Sequence, residues 1–354
     1  MASHLETLKS QYPWTSTPLI ASAPMRAISG SGLANTVSSA SGLGFIGAGT
    51  DLSNFEQTLS ECISSFQRSP ILNSIPGTVP IGAGFLCWGA SLSVALSVIS
   101  KAELKPAAAW LFAPKETKDL VQWSEGIRKV SNGKTRIWIQ VGTVAMAIEA
   151  ARSCSPDVLV IQGSDAGGHG LAKSSSIITL LPECVDSLEK EGFGRIPLIA
   201  AGGIVDGRGV AAAIVLGASG VSMGTRFLVA PEAIIAKGYQ DAVINAKDGG
   251  VSTGRTGLYD ILRGIPGWPN EYNGRGVLNC SFWDHEEGME EKENIRLYEE
   301  AVKMGDAGWG NNGRMCTYAG TGVGLVHKPQ SAGEIVAEVS KQAKESLAKA
   351  QCRV

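Results

Sequence analysis

The feature that most constrains the fold of this chain is an alternation of short apolar runs with helix-compatible segments. The apolar runs are TPLIAS (17–22), FIGA (45–48), VPIGAGFL (79–86), AAAWLF (107–112), RIWIQV (136–141), DVLVIQ (157–162), IPLIAA (196–201) and ASGVSMG (218–224). The segments that follow them are 32–41, 54–68, 92–101, 116–130, 143–153, 176–190, 206–216 and 232–240. Runs of this length are typical of parallel strands buried on both faces. Eight successive units predict an α/β fold, a closed (β/α)₈ TIM barrel in preference to an open doubly wound sheet.

The last third of the chain breaks this pattern. Segment 246–282 is rich in glycine and polar residues, 285–304 is typical of a charged helix, and 329–350 predicts a second helix. The first of these is too long for an ordinary connection, so we expect an additional loop and helix segment over the barrel mouth. The predicted domains are 1–240 plus 329–354 for the barrel and 241–328 for an inserted lid or cap.

Composition excludes several classes of partner. The 354 residues carry a formal net charge of -2, which gives no reason to expect nucleic acid or an acidic membrane. No apolar run reaches membrane-spanning length, and the N-terminus lacks a signal-peptide core. The seven cysteines form no CxxC pair and the four histidines no HxH or HExxH motif, so we expect reduced thiols and no metal site. We predict a cytoplasmic protein; a homodimer is possible.

Two glycine-rich corners follow the seventh and eighth predicted strands. AAGGI (200–204) ends the seventh, and MGTRF (223–227) ends the eighth. In this fold the active site lies at the C-terminal ends of the strands, and these two corners commonly hold a phosphate. Glycine leaves backbone N–H groups uncovered, so that several can bind one anion. The corners therefore predict a phosphate-bearing ligand. Turns selected for helix packing are the alternative, which explains one glycine pair better than two.

A histidine lies in the loop after the sixth predicted strand, QGSDAGGHG (162–170). Gly163, Gly167 and Gly168 would let this loop lie flat beside a large planar ligand. His169 is the only histidine that a strand-end loop carries. Imidazole accepts and donates protons near neutral pH, which suits acid–base catalysis. A histidine that caps a helix or binds a backbone carbonyl is the alternative interpretation.

Two other motifs are weaker signals of function. Lys115 follows the fourth predicted strand and could form a Schiff base if desolvated, but APKETKD supplies no charge that would activate it. A solvated helix start is favoured there. GAGF (82–85) and GTGVG (320–324) are similar to parts of a dinucleotide-binding fingerprint, yet neither opens a helix after a first strand. We therefore predict no Rossmann domain.

Taken together, the motifs resemble the nitronate monooxygenase family, formerly called 2-nitropropane dioxygenases. The matching stretches are ASAPM (21–25), QGSDAGGHG (162–170), IPLIAAGGI (196–204), GVSMGTRF (220–227) and YAGTGVG (318–324). The resemblance implies a TIM barrel that binds FMN non-covalently. It also implies that O₂ oxidises a nitronate or nitroalkane to a carbonyl compound and nitrite. His169 would be the catalytic residue, as a base for neutral nitroalkanes or as a hydrogen-bond donor to the nitro group.

The resemblance also implies which residues contact the flavin. The expected cofactor-binding residues are Ala23, Pro24, Met25, Gly84, Gln140, Gln162, Gly163, Gly167, Gly202, Gly203, Met223, Gly224, Thr225, Gly320 and Thr321. The two glycine corners would hold the phosphate, the ASAPM loop would lie along the isoalloxazine ring, and the late YAGTGVG loop would close over flavin and substrate. The expected apolar lining is Met25, Phe85, Trp88 and Trp110.

Three departures from the family pattern leave the substrate open. Thr321 stands where some members have glutamine, Gln140 stands where some have lysine, and GAGF lacks an asparagine. Other functions also stay open. They are an FMN-dependent enoyl reductase that takes hydride from NAD(P)H, a flavin-free aldolase or isomerase with a phosphorylated substrate, and a barrel that has lost catalysis and serves as a binding scaffold.

Overall fold

The computed structural model describes residues 3–67, 69–71, 75–310 and 312–353. The strands of these residues are β1 (Leu19–Ser22), β2 (Gly44–Gly49), β3 (Thr78–Leu86), β4 (Lys105–Phe112), β5 (Arg136–Val141), β6 (Val158–Gln162), β7 (Gly168–Leu171), β8 (Leu198–Ala201), β9 (Gly220–Met223), β10 (Thr253–Thr256) and β11 (Tyr272–Val277). The α-helices are α1 (His4–Gln11), α2 (Ser31–Ser39), α3 (Phe55–Phe66), α4 (Leu92–Lys101), α5 (Thr117–Val130), α6 (Val144–Cys154), α7 (Ile177–Lys190), α8 (Gly207–Val215), α9 (Lys237–Asn245), α10 (Gly249–Ser252), α11 (Leu258–Leu262), α12 (Cys280–Glu286), α13 (Glu291–Lys303) and α14 (Ala332–Gln351).

Eight parallel strands form a closed barrel. Their order is β1-β9-β8-β6-β5-β4-β3-β2, so that barrel neighbours follow one another along the chain once β7 is left aside. β1 and β2 close the circle: Ala21 pairs with Leu43 in a parallel bridge, and the Ser22 N–H donates to the Leu43 carbonyl at 3.1 Å. The prediction of a (β/α)₈ TIM barrel is confirmed.

The barrel interior is a packed core and not a pore. Phe45 contacts Trp110 and Trp138 with ring centroids 5.2 and 5.1 Å away, and the two indoles stack at 5.7 Å. Helix α1, which the sequence did not predict, brings Tyr12 and Trp14 under this cluster, and Trp138 Nε1 donates to the Tyr12 hydroxyl at 2.7 Å. Because the N-terminal end is filled in this way, space for a ligand is left at the C-terminal end.

The outer helices form where apolar residues recur at helical spacing behind a capping residue. Helix α5 buries Leu120, Trp123 and Ile127, which lie three and four residues apart on one face. Helix α8 begins where the Asp206 carboxylate accepts hydrogen bonds from the N–H groups of Arg208 and Gly209. The first seven predicted barrel helices are confirmed as α2 to α8.

The eighth predicted helix was wrong over most of its length. A 3₁₀ turn at Thr225–Val229 follows β9, and helix α9 begins only at Lys237. In between, the Ile234 N–H donates to the Ile28 carbonyl at 3.0 Å, so the backbone is tied to the loop after β1. The C-terminal helix α14 packs against the barrel helices α8 and α2 instead, and its Gln342 Oε1 accepts from the Gly207 N–H at 3.2 Å.

The segment between the barrel and α14 covers the barrel mouth. Strands β10 and β11 pair antiparallel, and β11 also pairs antiparallel with β7, where Gly274 lies opposite His169. We call these three strands the roof sheet. The sequence predicted a flat loop through QGSDAGGHG (162–170), but its last three residues begin strand β7.

The structure also bears on the cysteines and on membrane-spanning helices. In the described part of the chain, which includes all seven cysteines, no disulfide forms, and five of the cysteines are buried. Burial raises the pKa of the Cys184 thiol to about 12, which keeps it protonated at neutral pH. Among the described helices, none combines the length and apolarity needed to span a bilayer.

Candidate active site

A cavity of ≈ 340 Å³ lies at the C-terminal end of the barrel, under the roof sheet. Its volume falls within the range of small-molecule and cofactor sites. Sequence-predicted residues that line it are Ala23, Pro24, Met25, Gly84, Gln140, Gln162, Gly167, His169, Gly202, Gly203, Gly224 and Thr225. The structure therefore brings most of the predicted site together around one space.

The two glycine corners border one side of the cavity. Gly202 and Gly203 have φ angles of +111° and +73°, in the region that glycine favours. Among the described residues, the N–H groups of Gly202, Gly203 and Gly224 donate to no other backbone group. Three N–H groups without a backbone acceptor at one end of a cavity can donate hydrogen bonds to a bound anion.

Gly224 has no structural need to be glycine. Its φ of −107° is open to any residue, and an added Cβ would come no closer than 3.7 Å to Ala23 and 3.8 Å to the Met25 sulfur. The missing side chain therefore leaves volume in the cavity. Ser222, two residues earlier, also lines the cavity, and its buried hydroxyl has no hydrogen-bond partner among the residues that the structure describes. Both observations indicate that a polar group of a ligand belongs here.

The loop after β1 forms the wall beside these corners. The Met25 N–H donates to the Ser29 hydroxyl at 3.1 Å, and that hydroxyl donates to the Ala23 carbonyl at 3.1 Å. Pro24 packs directly on Gly84, where a Cβ would lie 2.2 Å from the proline ring. Strand β3 thus carries glycine at 84 because the ASAPM loop approaches it closely.

The two predicted glutamines have different surroundings. Gln140 Oε1 accepts from Trp110 Nε1 at 2.9 Å, so its amide NH₂ group is free to donate to a ligand in the cavity. Gln162 Nε2 donates to the His169 carbonyl at 3.2 Å. Gln162 therefore helps to hold the start of the roof sheet in place.

Four predicted cofactor residues do not line the cavity. Gly163 packs under α7, where a Cβ would lie 2.6 Å from the Ile177 nitrogen, and Met223 is buried between barrel and helices. Gly320 donates its N–H to Thr225 Oγ1 at 2.9 Å, and Thr321 donates its hydroxyl to Asp165 Oδ1 at 3.2 Å. The late loop supports the glycine-rich loops from behind and does not form a cavity wall at these two positions.

His169 lies in the cavity wall, and its side chain is paired with a carboxylate. Its Nε2 lies 2.8 Å from Asp260 Oδ2 and 3.0 Å from Asp260 Oδ1. The imidazole stacks on Trp268 with ring centroids 3.8 Å apart and an angle of 2° between the planes. The Tyr318 hydroxyl donates to Asp260 Oδ1 at 3.0 Å. The histidine side chain thus neither caps a helix nor binds a backbone carbonyl among the described residues.

Two arginines of the roof sheet hold the loop that precedes β7. Arg255 donates to the Ala166 carbonyl at 3.1 Å, and Arg275 donates to the Ser164 carbonyl at 3.2 Å. Burial, reinforced by the neighbouring Arg275, lowers the pKa of Arg255 to about 10. Arg255 is still a cation at neutral pH, so its bonds to the loop stay charge-assisted.

Sequence reasoning missed the residues that the roof contributes. Asp260, Arg263, Trp268 and Tyr318 lie around His169, and Arg263 places its guanidinium 5.5 Å from the centre of the Tyr318 ring. Asp260, Arg263 and Trp268 follow no motif, since they meet His169 only through the pairing of β7 with β11. Tyr318 begins YAGTGVG (318–324), but the residues predicted from that stretch were Gly320 and Thr321. For the residues outside YAGTGVG, the glycine- and proline-rich stretch that carries Trp268 was the available signal, and it indicated a lid without indicating which side chains point inward.

Three further expectations concern Lys115, the apolar lining of the cavity and metal-ligating side chains. Lys115 is exposed at the start of α5, where its backbone N–H donates to Asp119 Oδ2 at 3.0 Å, so the solvated helix start is confirmed. Met25, Phe85 and Trp110 line the cavity as expected, but Trp88 does not; Trp268 packs against it, 5.2 Å away. No group of three metal-ligating side chains occurs in the part of the chain that the structure describes.

These features define a class of protein. A TIM barrel with a cavity at its C-terminal end, uncommitted amides at one side and a carboxylate-paired histidine in the wall is a barrel enzyme with a ligand-binding active site. Residues 121–342 match the family model described as nitronate monooxygenase.

Individual proteins agree with that match. The chain is 47% identical to the nitronate monooxygenase npaC of Metarhizium robertsii over 346 residues, which cover 97% of this chain and 95% of that protein. It is 36% identical to the nitronate monooxygenase of Neurospora crassa, over 98% of this chain and 94% of that one. The chain belongs to the nitronate monooxygenase family. The predictions of this family and of an oxidoreductase enzyme are confirmed.

A solved structure supports the fold independently. FabK from Thermotoga maritima superposes with a TM-score of 0.72 and covers 98% of both chains, at 22% sequence identity. At this identity the likeness shows a shared fold and nothing about the reaction.

Proposed function

We propose that this protein binds FMN non-covalently and uses it to oxidise alkyl nitronates with O₂, giving a carbonyl compound and nitrite. The observation that carries the proposal is the corner formed by three glycine N–H groups at one end of the cavity. Gly202, Gly203 and Gly224 present uncommitted N–H groups, and Gly224 leaves space that neither its φ angle nor its packing requires. Membership of the nitronate monooxygenase family supports the same reading.

The residues present fit this cofactor. The three N–H groups of Gly202, Gly203 and Gly224 would hold the phosphate. The Ser222 hydroxyl and the free NH₂ group of Gln140 would hydrogen-bond polar atoms farther along the flavin. When bound, FMN would supply the electron transfer and the oxygen chemistry, which amino-acid side chains do not provide.

The side chains of this chain would bind, orient and protect the substrate. Phe85, Trp110 and Phe112 give the cavity apolar walls that exclude water and suit small, weakly polar molecules. His169 would accept the α-proton of a neutral nitroalkane. A nitronate has already lost that proton, so its oxidation would depend less on His169.

Purified protein tests the proposal in two steps. We expect a yellow protein that releases FMN on denaturation, identified by mass. Anaerobic addition of a nitronate should bleach the flavin absorbance, and aerobic turnover should release nitrite. A colourless protein that cannot be loaded with FMN would contradict the cofactor assignment. Rapid bleaching by NADH or NADPH but not by any nitronate would indicate an enoyl reductase-like reaction instead.

A further inference from the structure

The pair formed by His169 and Asp260 has a consequence for the chemistry of the histidine. Both Asp260 oxygens lie within 3.0 Å of Nε2, and the two side chains are only 12% and 14% exposed. The carboxylate comes from helix α11, 91 residues away in the chain. Such a contact restricts the histidine more than a surface ion pair would, because little water competes for either group.

An ionised carboxylate can only accept hydrogen bonds. Asp260 Oδ1 already accepts the Tyr318 hydroxyl at 3.0 Å, and burial raises the pKa of Tyr318, so the phenol stays protonated and donates. The hydrogen between Asp260 and His169 must therefore be on Nε2. A neutral imidazole protonated at Nε2 has its lone pair on Nδ1.

The ring has little freedom to turn away from this arrangement. Trp268 stacks on the imidazole at 3.8 Å with parallel planes, and the backbone of His169 is fixed by its pairing with Gly274 in β11. A half-turn of the ring would replace Nε2 with a carbon atom opposite Asp260. His169 Nδ1 makes no hydrogen bond within the described part of the chain.

We propose that Asp260 is a positioning residue that holds His169 in the Nε2–H tautomer and leaves Nδ1 as the atom that accepts the substrate proton. This inference rests on the proposed function. In the step, the α-C–H bond of a neutral nitroalkane breaks and its electron pair forms the C=N bond of the nitronate, while the π pair of one N=O bond moves onto its oxygen. The proton bonds to Nδ1, and the imidazolium then donates from Nε2 to Asp260. Tyr318 keeps the carboxylate in place by donating to Oδ1.

The first test reads the tautomer without any activity measurement. In protein labelled with ¹⁵N-histidine, we expect the resonances of His169, assigned by their loss in His169→Asn, to show a protonated Nε2 and an unprotonated Nδ1 at a pH where the ring is neutral. A neutral ring protonated at Nδ1 in the wild-type protein would overturn the inference, whatever reaction the enzyme catalyses.

The second test compares two substrates in Asp260→Asn. The asparagine amide can donate to Nε2 and so favours the other tautomer, as in catalytic triads, where this change lowers kcat by roughly 10⁴-fold. We expect kcat on a neutral nitroalkane to fall about 10²- to 10⁴-fold, with FMN retained and with oxidation of the preformed nitronate within a few fold of wild type. Tyr318→Phe should also lower kcat on the neutral nitroalkane and spare oxidation of the nitronate, but the decrease should be smaller than in Asp260→Asn.

Asp241→Asn is the matched control, since this exposed carboxylate pairs with Lys237 on α9, outside the cavity. It should leave both substrates unaffected. If Asp260→Asn lowers both activities equally, or neither, Asp260 does not act through the proton acceptor. If wild-type protein oxidises neither substrate, the proposed function fails, while the tautomer measurement still decides the role of Asp260.

Discussion

At the scale of single residues, the glycine at position 224 leaves space at one end of the candidate active site. Most glycines near the cavity are explained by close packing or by a positive φ, as at Gly84 and Gly202. Gly224 has neither reason, so its absent side chain is best explained by a bound group that needs the space. The sequence predicted a phosphate at this corner because phosphate sites in TIM barrels recur at the same two strand ends, and the structure brings both corners to one cavity.

Substitution of Gly224 tests that explanation. Gly224→Asp should weaken FMN binding by roughly 10- to several hundredfold, because a carboxylate about 4 Å from the phosphate costs about 1 to 4 kcal/mol. Gly224→Asn has the same size without the charge and should weaken binding less. Fluorescence titration of apoprotein with FMN measures both. Gly32→Ala, on helix α2, where an added Cβ also meets no atom closer than 3.9 Å, should bind FMN normally. Equal affinities for the Asp and Asn variants would argue against a phosphate there.

His169 provides a second residue-scale prediction. His169→Asn should keep the flavin and lose about 10²- to 10⁴-fold of its turnover on neutral nitroalkanes, because general base catalysis contributes that much. Oxidation of preformed nitronates should persist, since no proton remains to be removed. Oxygen consumption with each substrate, at matched flavin content, measures the difference. Full activity on a neutral nitroalkane would exclude His169 as the base.

At the scale of secondary-structure elements, β7 shows where a local pattern is insufficient. GHGL has no run of β-branched residues, so nothing in its own sequence indicates a strand. It becomes one because β11 supplies an antiparallel partner about a hundred residues later. The same pairing brings Asp260 and Trp268 to His169. The sequence could predict which barrel loops meet, but it could not predict this pairing.

The arginines of β10 and β11 make β7 and its loop a fixed element. Arg255→Met removes the donor to the Ala166 carbonyl, and an unsatisfied buried carbonyl costs about 1 to 3 kcal/mol. We expect faster amide hydrogen exchange over residues 163–171 and a lower kcat, with the rest of the barrel unchanged. Mass-spectrometric exchange on the wild type and the variant measures this directly.

Arg296→Met is the control for that experiment. Arg296 is exposed on α13 and forms ion pairs with Glu293 and Glu300. Exposed ion pairs of this kind contribute little to stability. Its exchange pattern over residues 163–171 should equal that of the wild type. The same protection in Arg255→Met would mean that the loop is held by other contacts.

At the scale of the whole molecule, the chain closes its barrel with a helix from far along the sequence. The alternation of strands and helices predicted eight units because every buried parallel strand needs a helix to cover it. The eighth helix could not be placed locally, because the residues after β9 form a 3₁₀ turn and a connection to the loop after β1. Helix α14 packs at that position, beside α8 and α2, and buries Ile335, Val336 and Val339.

If α14 is the eighth barrel helix, a cavity in its buried face should destabilise the entire barrel. Ile335 is fully buried, so Ile335→Ala should lower the free energy of unfolding by about 2 to 5 kcal/mol. Lys344→Ala, on the exposed face of the same helix, should stay within about 0.5 kcal/mol of wild type. Thermal unfolding followed by circular dichroism and by flavin release should show both signals shifting together in Ile335→Ala. If part of the circular dichroism signal is lost at lower temperature while flavin release keeps its wild-type midpoint, α14 unfolds separately and the barrel does not depend on it.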